Sequence, residues 1–204
     1  MKKLLTALAA GAALVFTASA AEPEEGFVSL FDGKTMEDWK VSGNKDAFRI
    51  EDEAIRAQGG CSHAFYVGKV EDAKFDNFEL RMDVMTKEHS NGGIFIHSEW
   101  QDSGWPGKGY EVQVNNTQSD WRKSGGLYGV VDNKEPFEDD TWMKYVIVVK
   151  DGKVTVTVNG KKLVDYTPEE GNTKLQKGGG AFALQAHDPD SITFYKNIRV
   201  KTLD

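Results

Sequence analysis

The dominant pattern along the chain is the alternation of apolar and polar residues, which predicts β-strands. From residue 77 to residue 84 every even position is apolar, as expected for a strand that turns one face toward a core. The same period of two recurs over residues 109–115 and 182–187. After residue 20 no stretch sustains apolar recurrence at three- and four-residue spacing, so we expect few helices.

Turn signals join these strands into hairpins. Asp151-Gly152 and Asn159-Gly160 separate β-branched runs between Met143 and Tyr166. Each dipeptide suits the positive φ angles of a two-residue hairpin, so a three-stranded meander is predicted. A short hairpin around the acidic turn 51–53 and a closing strand over residues 192–203 bring the total to roughly ten strands. The predicted fold class is all-β, an antiparallel β-sandwich or a closed barrel.

The first twenty residues have the pattern of a secretory signal peptide. Lys2 and Lys3 precede an apolar stretch from Leu4 to Thr17, and Ala18-Ser19-Ala20 forms a small-x-small cleavage site. The alternative is a transmembrane anchor, but the apolar stretch is shorter than the ~20 residues that a spanning helix needs. We therefore expect residues 1–20 to be removed, residues 21–204 to form one domain, and the protein to be exported, either to the periplasm or outside the cell.

Composition and charge exclude several classes of function. The chain has 204 residues and a net charge of −7, which becomes more negative when the two leader lysines are removed. This charge argues against nucleic-acid binding. The single cysteine excludes a disulfide framework and multi-cysteine metal sites within the chain. With the leader removed, no membrane insertion is expected, and the oligomeric state is left open.

The outward-facing residues of four strands differ from an ordinary solvated face. They are Arg81 and Asp83; Phe95 and His97; Glu111, Gln113 and Asn115; and Gln185 and His187. Such groups can hydrogen-bond sugar hydroxyls while aromatic rings cover C–H faces, so a sugar-binding groove is predicted. The alternative is that these residues lie separately on the surface of several edge strands.

The acid–base candidates favour chemistry with a single carboxylate on the central strand. In Glu111-Val112-Gln113-Val114-Asn115 only the first outward residue is acidic. Gln113 and Asn115 cannot ionise, so a glycosidase with paired carboxylates on this strand is disfavoured. His187 is a second titrating group, and its alternative role is to cap the end of a strand.

Other chemical assignments are weaker. A divalent metal held by His97, Glu99 and His187 is a further hypothesis, although the i, i+2 spacing of two ligands is a weak signal. Cys61 lacks an evident oxyanion site and is disfavoured as a nucleophile. His63 is interpreted as structural.

Several strings together resemble one known family. They are GFVSLFDGK (26–34) with Trp39, NFELR (77–81), NGGIF (91–95), GYEVQ (109–113), GLYG (126–129), LQAH (184–187) and FYKNIR (194–199). In this order and spacing the chain resembles the 3-keto-disaccharide hydrolase family, also called 3-keto-glucoside lyase/hydratase. The resemblance covers nearly all of the chain after the leader, and it implies a concanavalin-like jelly roll whose concave sheet carries the site.

The resemblance also implies which residues form that site. Glu111 and Gln113 match one strand motif of the family, and Gln185 and His187 match another. Asn91 and Tyr128 match its Asn-x-Gly and Leu-Tyr-Gly positions. His97 stands where many relatives have arginine, so substrate preference at that position is left open.

The implied activity is the cleavage of glycosides that carry a ketone at C3. The ketone acidifies the C2 proton, so one base, His187 or Glu111, can remove it and the C1 aglycone can leave by β-elimination; water then adds back. Arg81, Gln113, Gln185 or a bound cation would stabilise the enolate. The expected partner is a small carbohydrate, and the alternatives are a non-catalytic sugar-binding domain of the same fold or an exported scaffold for protein contacts.

Overall fold

The computed structural model describes residues 24–204, in which β-strands dominate. In chain order the strands are β1 Val28–Ser29, β2 Trp39–Ser42, β3 Phe48–Glu51, β4 Ala54–Ala57, β5 Ser62–Tyr66, β6 Phe78–Thr86, β7 Asn91–Ser98, β8 Tyr110–Asn115, β9 Lys123–Leu127, β10 Val131–Asn133, β11 Met143–Lys150, β12 Lys153–Val158, β13 Lys161–Tyr166, β14 Ala181–Ala186 and β15 Thr193–Thr202. The helical elements in this part of the chain are the short 3-10 turns Lys45–Ala47 and Val70–Ala73.

The strands form two sheets. The first, sheet A, has the order β13-β12-β11-β6-β15-β4-β3, and β1 also pairs with β15; the second, sheet B, has the order β10-β9-β8-β7-β14-β5-β2. The ladders within both sheets are antiparallel. The two sheets pack face to face as a jelly-roll sandwich, which confirms the predicted all-β fold class.

Alternation along the strands places the core between the sheets. In β6 every second residue is buried, beginning with Phe78, and in β8 Val112 and Val114 are fully buried. Burying a side chain of this size contributes roughly 1.5–3 kcal/mol, so the register of each strand is strongly fixed. The same register turns Glu111 and Gln113 to the outer face of sheet B.

The predicted hairpins are present. Strands β11, β12 and β13 pair in sequence as a meander at the edge of sheet A. At its turns Asp151 and Gly152 have φ angles of 51° and 74°, and Asn159 and Gly160 have φ angles of 50° and 79°. Two successive positive φ angles are the requirement of a two-residue hairpin turn, which explains both dipeptides.

The predicted leader, residues 1–20, lies outside the described residues. Among residues 24–204 there is no helix whose length and apolar character would suffice to cross a membrane.

Candidate functional site

A cleft of about 430 Å³ lies on the outer face of sheet B. Strands β7, β8 and β14 form its floor, and the segments that follow β7, β8, β9, β13 and β14 form its walls. Its lining residues are Asn91, Phe95, Trp105, Pro106, Gly109, Tyr110, Glu111, Gln113, Asp120, Tyr128, Lys174, Gln185 and His187. Six of the eight site residues predicted from the sequence are therefore neighbours in one cleft.

The floor of the cleft holds the Glu111 carboxylate above a glycine. Leu184 pairs with Ile94, so the next residue along β14, Gln185, lies beside Gly93. The Glu111 carboxylate reaches across Gly93, and Gln185 Nε2 donates a 2.9 Å hydrogen bond to Glu111 Oε1. A Cβ atom at Gly93 would lie only 2.4 Å from that oxygen. Gly93 thus leaves the space that lets Glu111 and Gln185 meet.

The surroundings of Glu111 favour its neutral form. Burial raises the pKa of Glu111 from its ordinary value of 4.5 to about 7, the hydrogen bond from Gln185 opposes this rise, and the negative charge of Asp120 adds to it. A carboxyl group with such a pKa can both accept and release a proton near neutral pH. Glu111 is therefore the strongest acid–base candidate on the floor.

Two amide side chains complete the floor. Gln113 is buried, and its Nε2 lies 3.4 Å from the carbonyl oxygen of Arg122. Asn91 is also buried, and its Oδ1 has no hydrogen-bond partner among residues 24–204. A buried acceptor without a partner is costly.

His187 lies directly after β14 and pairs with a carboxylate. Its Nδ1 is 2.8 Å from Asp188 Oδ2. Ser191 donates to Asp188 from its hydroxyl at 2.7 Å and from its backbone amide at 2.9 Å. Burial acts to raise the pKa of Asp188, but the hydrogen bonds from Ser191 and His187 outweigh it and lower this pKa. Asp188 is thus a fixed anion that orients the imidazole.

One wall of the cleft is built from the segment between β8 and β9 and from Tyr128. Arg122 donates its backbone amide to Asp120 Oδ1 at 2.9 Å, and the Tyr128 hydroxyl lies 3.4 Å from Asp120 Oδ2. The Arg122 guanidinium stacks on the rings of Tyr128 and Trp121, at 4.7 and 4.6 Å. Sequence reasoning missed Asp120, because a loop residue has no periodicity that could place it.

The opposite wall contains Trp105 and His187, and the buried His63 packs against Trp105. The Trp105 ring lies 5.3 Å from His187 and 5.7 Å from His63, measured between ring centroids. His63 is fully buried beside Gln185, with which it pairs across β5 and β14. Burial, with a smaller contribution from the neighbouring His187, lowers the pKa of His63 to about 4. His63 is therefore neutral at physiological pH.

The structure places Arg81 away from the cleft, so the prediction that it shares this face is wrong. Strand β6 belongs to sheet A, and Arg81 lies on the outer face of that sheet. There it pairs with Glu79 and Glu24. Alternation fixes which side of a strand a residue occupies, but it does not reveal which of the two sheets contains the strand.

His97 is also absent from the cleft, because β7 contains a bulge. Ala181 pairs with Ser98 and Ala183 with Phe95, so two steps along β14 oppose three along β7. His97 has a φ angle of 50°, and its ring packs 6.0 Å from the buried Phe78. Its Nε2 lies 3.0 Å from the carbonyl oxygen of Asp76. The extra residue reverses the alternation and turns His97 away from the position predicted for it.

The same bulge removes the hypothetical metal site. His97 lies near the start of β14 and His187 follows its end, so the two imidazoles do not meet. Within the part of the chain that the structure describes, no group of three or more His, Cys, Asp or Glu side chains is arranged to hold a metal ion.

Comparison with known proteins agrees with this architecture. The chain is 26% identical to a protein of Bacteroides thetaiotaomicron named 3-keto-disaccharide hydrolase, and the alignment covers 88% of this chain and 79% of the relative. A solved structure from Parabacteroides distasonis, described as a candidate glycosyl hydrolase, superposes with a TM-score of 0.71 at 24% identity and covers 88% of this chain and 95% of that one. A carbohydrate-binding module from Bacillus subtilis superposes with a TM-score of 0.60 at 12% identity, covering 81% of this chain and 96% of the module.

The family assignment rests on nearly the whole described chain. Residues 26–201 match the model of the 3-keto-alpha-glucoside-1,2-lyase-like domain. This range spans both sheets and every strand that contributes to the cleft. The chain belongs to the 3-keto-alpha-glucoside-1,2-lyase-like family.

Proposed function

We propose that the protein cleaves 3-keto-glycosides by elimination and then hydrates the product, with net hydrolysis of the glycosidic bond. The observation that carries the proposal is the arrangement of Glu111 and the His187–Asp188 pair in one cleft. The name of the Bacteroides relative and the family membership support the choice of a 3-keto sugar as substrate.

Glu111 acts as the base in the first step. The C3 ketone acidifies the proton on C2, and the Glu111 carboxylate accepts this proton while the electrons of the C–H bond form an enolate between C2 and C3. A base with a pKa near the working pH is best matched to such a transfer. Gln185 holds Glu111 Oε1 at 2.9 Å, which fixes the direction of the carboxylate.

The floor amides stabilise the enolate oxygen. Gln113 and Asn91 are buried in the cleft lining, where a hydrogen bond to a developing negative charge is stronger than it is in water. Lys174 also lines the cleft and supplies a positive charge. These groups take the role that the sequence analysis assigned in part to Arg81.

His187 acts as the acid in the second step. The enolate reforms the C3 ketone, a double bond forms between C1 and C2, and the bond from C1 to the aglycone oxygen breaks. The imidazolium of His187 donates its proton to that oxygen, so the aglycone leaves as a neutral alcohol. Asp188 orients the ring for this transfer through its 2.8 Å contact with Nδ1.

Hydration returns both groups to their starting states. Neutral His187 accepts a proton from water, and the hydroxide adds to C1. The protonated Glu111 then delivers its proton to C2. The sum of the two stages is the addition of one water across the glycosidic bond.

The test compares a 3-keto-glucoside with its unoxidised parent. We expect the wild-type protein to release the aglycone from the 3-keto-glucoside alone, because only the ketone acidifies C2. Glu111→Gln should reduce turnover roughly 100- to 10,000-fold, the usual contribution of a general base. Trp142 directly precedes β11 and does not line the cleft, so Trp142→Ala should leave turnover unchanged. Cleavage of the parent alone, or of neither compound, would refute the proposal.

The second candidate function is a non-catalytic sugar-binding domain. The superposition with the carbohydrate-binding module and the exposed aromatic rings of Trp105 and Tyr128 at the cleft favour it. It predicts that wild type and Glu111→Gln bind the 3-keto-glucoside with similar affinity and that wild type has no turnover.

A further inference from the structure

Trp105 presents an indole ring at the mouth of the cleft. The residue is 52% exposed although tryptophan is the largest apolar side chain, and it lines the cleft together with Pro106. Exposed aromatic rings at the rim of a polar cleft commonly serve as contact surfaces for ligands.

The loop that carries Trp105 is held in shape by its own hydrogen bonds. Gln101 Nε2 donates to the carbonyl oxygens of Ser103 and Trp105, at 2.7 and 2.9 Å, and Gln101 Oε1 accepts from the Gly107 amide at 3.1 Å. These bonds close the loop around a single side chain. The position of the indole is therefore largely formed before a ligand binds, which lowers the entropic cost of binding.

His63 supports the indole from beneath. It is fully buried, and neither of its ring nitrogens has a hydrogen-bond partner among the described residues. Its ring meets those of Phe95 and Trp105 at interplanar angles of 87° and 79°. A buried polar ring without hydrogen bonds needs an explanation, and these edge-to-face contacts indicate a packing role between the floor and Trp105.

The position of Trp105 relative to His187 indicates which part of a substrate it meets. The two rings lie 5.3 Å apart, and in the proposed reaction His187 donates its proton to the oxygen of the departing aglycone. The aglycone must therefore extend past His187 toward the indole.

We propose that Trp105 is a platform for the aglycone and that His63 is the residue that positions it. The inference rests on the proposed function of the same cleft. The preferred substrates are 3-keto-glycosides whose aglycone has a flat apolar face, which stacks on the indole. An aromatic ring and the C–H face of a second sugar both meet this requirement.

The experiment measures binding in the absence of turnover. In a Glu111→Gln background, calorimetry gives the dissociation constants of phenyl 3-keto-glucoside, a 3-keto-disaccharide and methyl 3-keto-glucoside. We expect the first two to bind roughly 2- to 10-fold more tightly than the methyl compound, as aromatic stacking contributes. The ratio that reports the platform is the dissociation constant of the methyl compound divided by that of the phenyl compound or of the disaccharide. Adding Trp105→Ala should bring this ratio close to one, and Trp105→Phe should restore part of it.

Trp121→Ala is the matched control. Trp121 is 49% exposed, stacks on Arg122 and is not among the residues that line the cleft, so its removal should leave the ratio unchanged. An unchanged ratio in Trp105→Ala, or an equal fall of the ratio in Trp121→Ala, would overturn the proposal that Trp105 is the platform. If Trp105→Ala removes the preference for the phenyl compound alone, the indole binds an aromatic aglycone. If it removes the preference for the disaccharide alone, the indole binds a sugar aglycone.

His63 is tested by two substitutions. His63→Ala removes the edge contacts and should reduce the ratio as Trp105→Ala does, whereas His63→Phe keeps an edge-to-face contact and should preserve the ratio. An unchanged ratio in His63→Ala would overturn the positioning role.

Wild-type turnover, measured separately, distinguishes this proposal from the proposed function. If wild type cleaves 3-keto-glycosides but Trp105→Ala does not change the ratio, the function stands and the platform fails. If the ratio responds to Trp105 but no aglycone is released, the platform stands and catalysis fails.

Discussion

The carboxyl group of Glu111 illustrates how one residue acquires its chemistry from its neighbours. Gly93 provides the space beneath it, Gln185 fixes one of its oxygens, and burial with the charge of Asp120 favours its neutral form. None of these effects is encoded in the glutamate itself. The first two arise from the pairing of β8, β7 and β14, and the Asp120 charge comes from the loop after β8.

The raised pKa of Glu111 predicts the acidic limb of the pH profile. As the base, Glu111 must be deprotonated, so kcat/KM should fall about tenfold per pH unit below the pKa of about 7. The measurement is kcat/KM for a 3-keto-glucoside between pH 5 and pH 9. An acidic limb near pH 4.5, the ordinary range of a glutamate, would contradict the assignment.

The same pKa has a consequence for stability. Folding raises the pKa of Glu111 from 4.5 to about 7, so the folded protein binds a proton more tightly than the unfolded chain. The stabilisation is complete below pH 4.5 and is lost as the pH rises through 7, a change of up to about 3 kcal/mol. Glu111→Gln should therefore be more stable than wild type at pH 8 and similar at pH 4.5.

Urea unfolding of both proteins at the two pH values measures this difference. Gln185→Leu in the wild-type background removes the hydrogen bond that opposes the shift and should not abolish the dependence on pH. Parallel stability profiles for wild type and Glu111→Gln would show that Glu111 is ionised in the folded protein at neutral pH.

Gly93 is predicted to be required for the site more than for the fold. In Gly93→Ala the new Cβ would collide with Glu111 Oε1, which lies 2.4 Å from its position, so the carboxylate must leave Gln185. We expect turnover to fall at least tenfold while the melting temperature changes modestly. Gly60→Ala is the control, because nothing lies within 4 Å of its Cβ position. Equal activity of the two variants would contradict the role of Gly93.

At the scale of elements, the turn between β14 and β15 determines how His187 is presented. Asp188 accepts hydrogen bonds from His187, from Ser191 and from the Asp190 amide. One carboxylate thus both shapes the turn and orients the imidazole. The turn and the catalytic ring are therefore coupled through a single side chain.

Asp188→Asn separates these two roles. The asparagine oxygen can still accept hydrogen bonds from the backbone amides of Asp190 and Ser191, but the amide nitrogen cannot accept a hydrogen bond from His187 Nδ1. We expect turnover to fall roughly 10- to 100-fold with a loss of stability near 1 kcal/mol. Activity and urea unfolding measure the two effects, and Asp190→Asn is the matched control. A stability loss without a change in turnover would place Asp188 in the fold alone.

The sequence was most informative about individual strands and turns. Apolar alternation located β6, β8 and β14, and the Asp-Gly and Asn-Gly dipeptides located the meander. These signals are local, because each strand and each turn obeys its own steric rule. The bulge at His97 escaped prediction, since it depends on the pairing of β7 with β14 and not on the residues of β7 alone.

At the scale of the whole molecule, the sequence pattern did not indicate which strand belongs to which sheet. Arg81 and Glu111 both face outward on alternating strands, yet they lie on opposite sheets. The cleft is also lined by Trp105 and Asp120, which lie in two separate loops that the folded sheet brings to one site. Tertiary pairing therefore decides the composition of the site. Alternation indicated four of its residues, Glu111, Gln113, Gln185 and His187, and the family resemblance added Asn91 and Tyr128.

Export of the protein is a prediction about the whole molecule. We propose that residues 1–20 direct secretion and are removed after Ala20. When the full chain is produced in a Gram-negative host, intact mass spectrometry of the periplasmic or culture fraction should show a protein that begins at Ala21. A chain produced without residues 2–20 should stay in the cytoplasm and fold, since the described strands begin at Val28. Recovery of the unprocessed chain from the cytoplasm would refute the prediction.

The contacts of Glu24 with Arg81 and Arg199 fix where the chain enters the sandwich. Both arginines lie on sheet A, and their guanidinium groups stack on the Phe27 ring. The start of the described chain is thus fastened to the side of the sandwich opposite the cleft. A tag, a surface or a carrier protein attached ahead of Glu24 would therefore leave the cleft facing solution, which makes this end the suitable one for immobilising the protein in binding measurements.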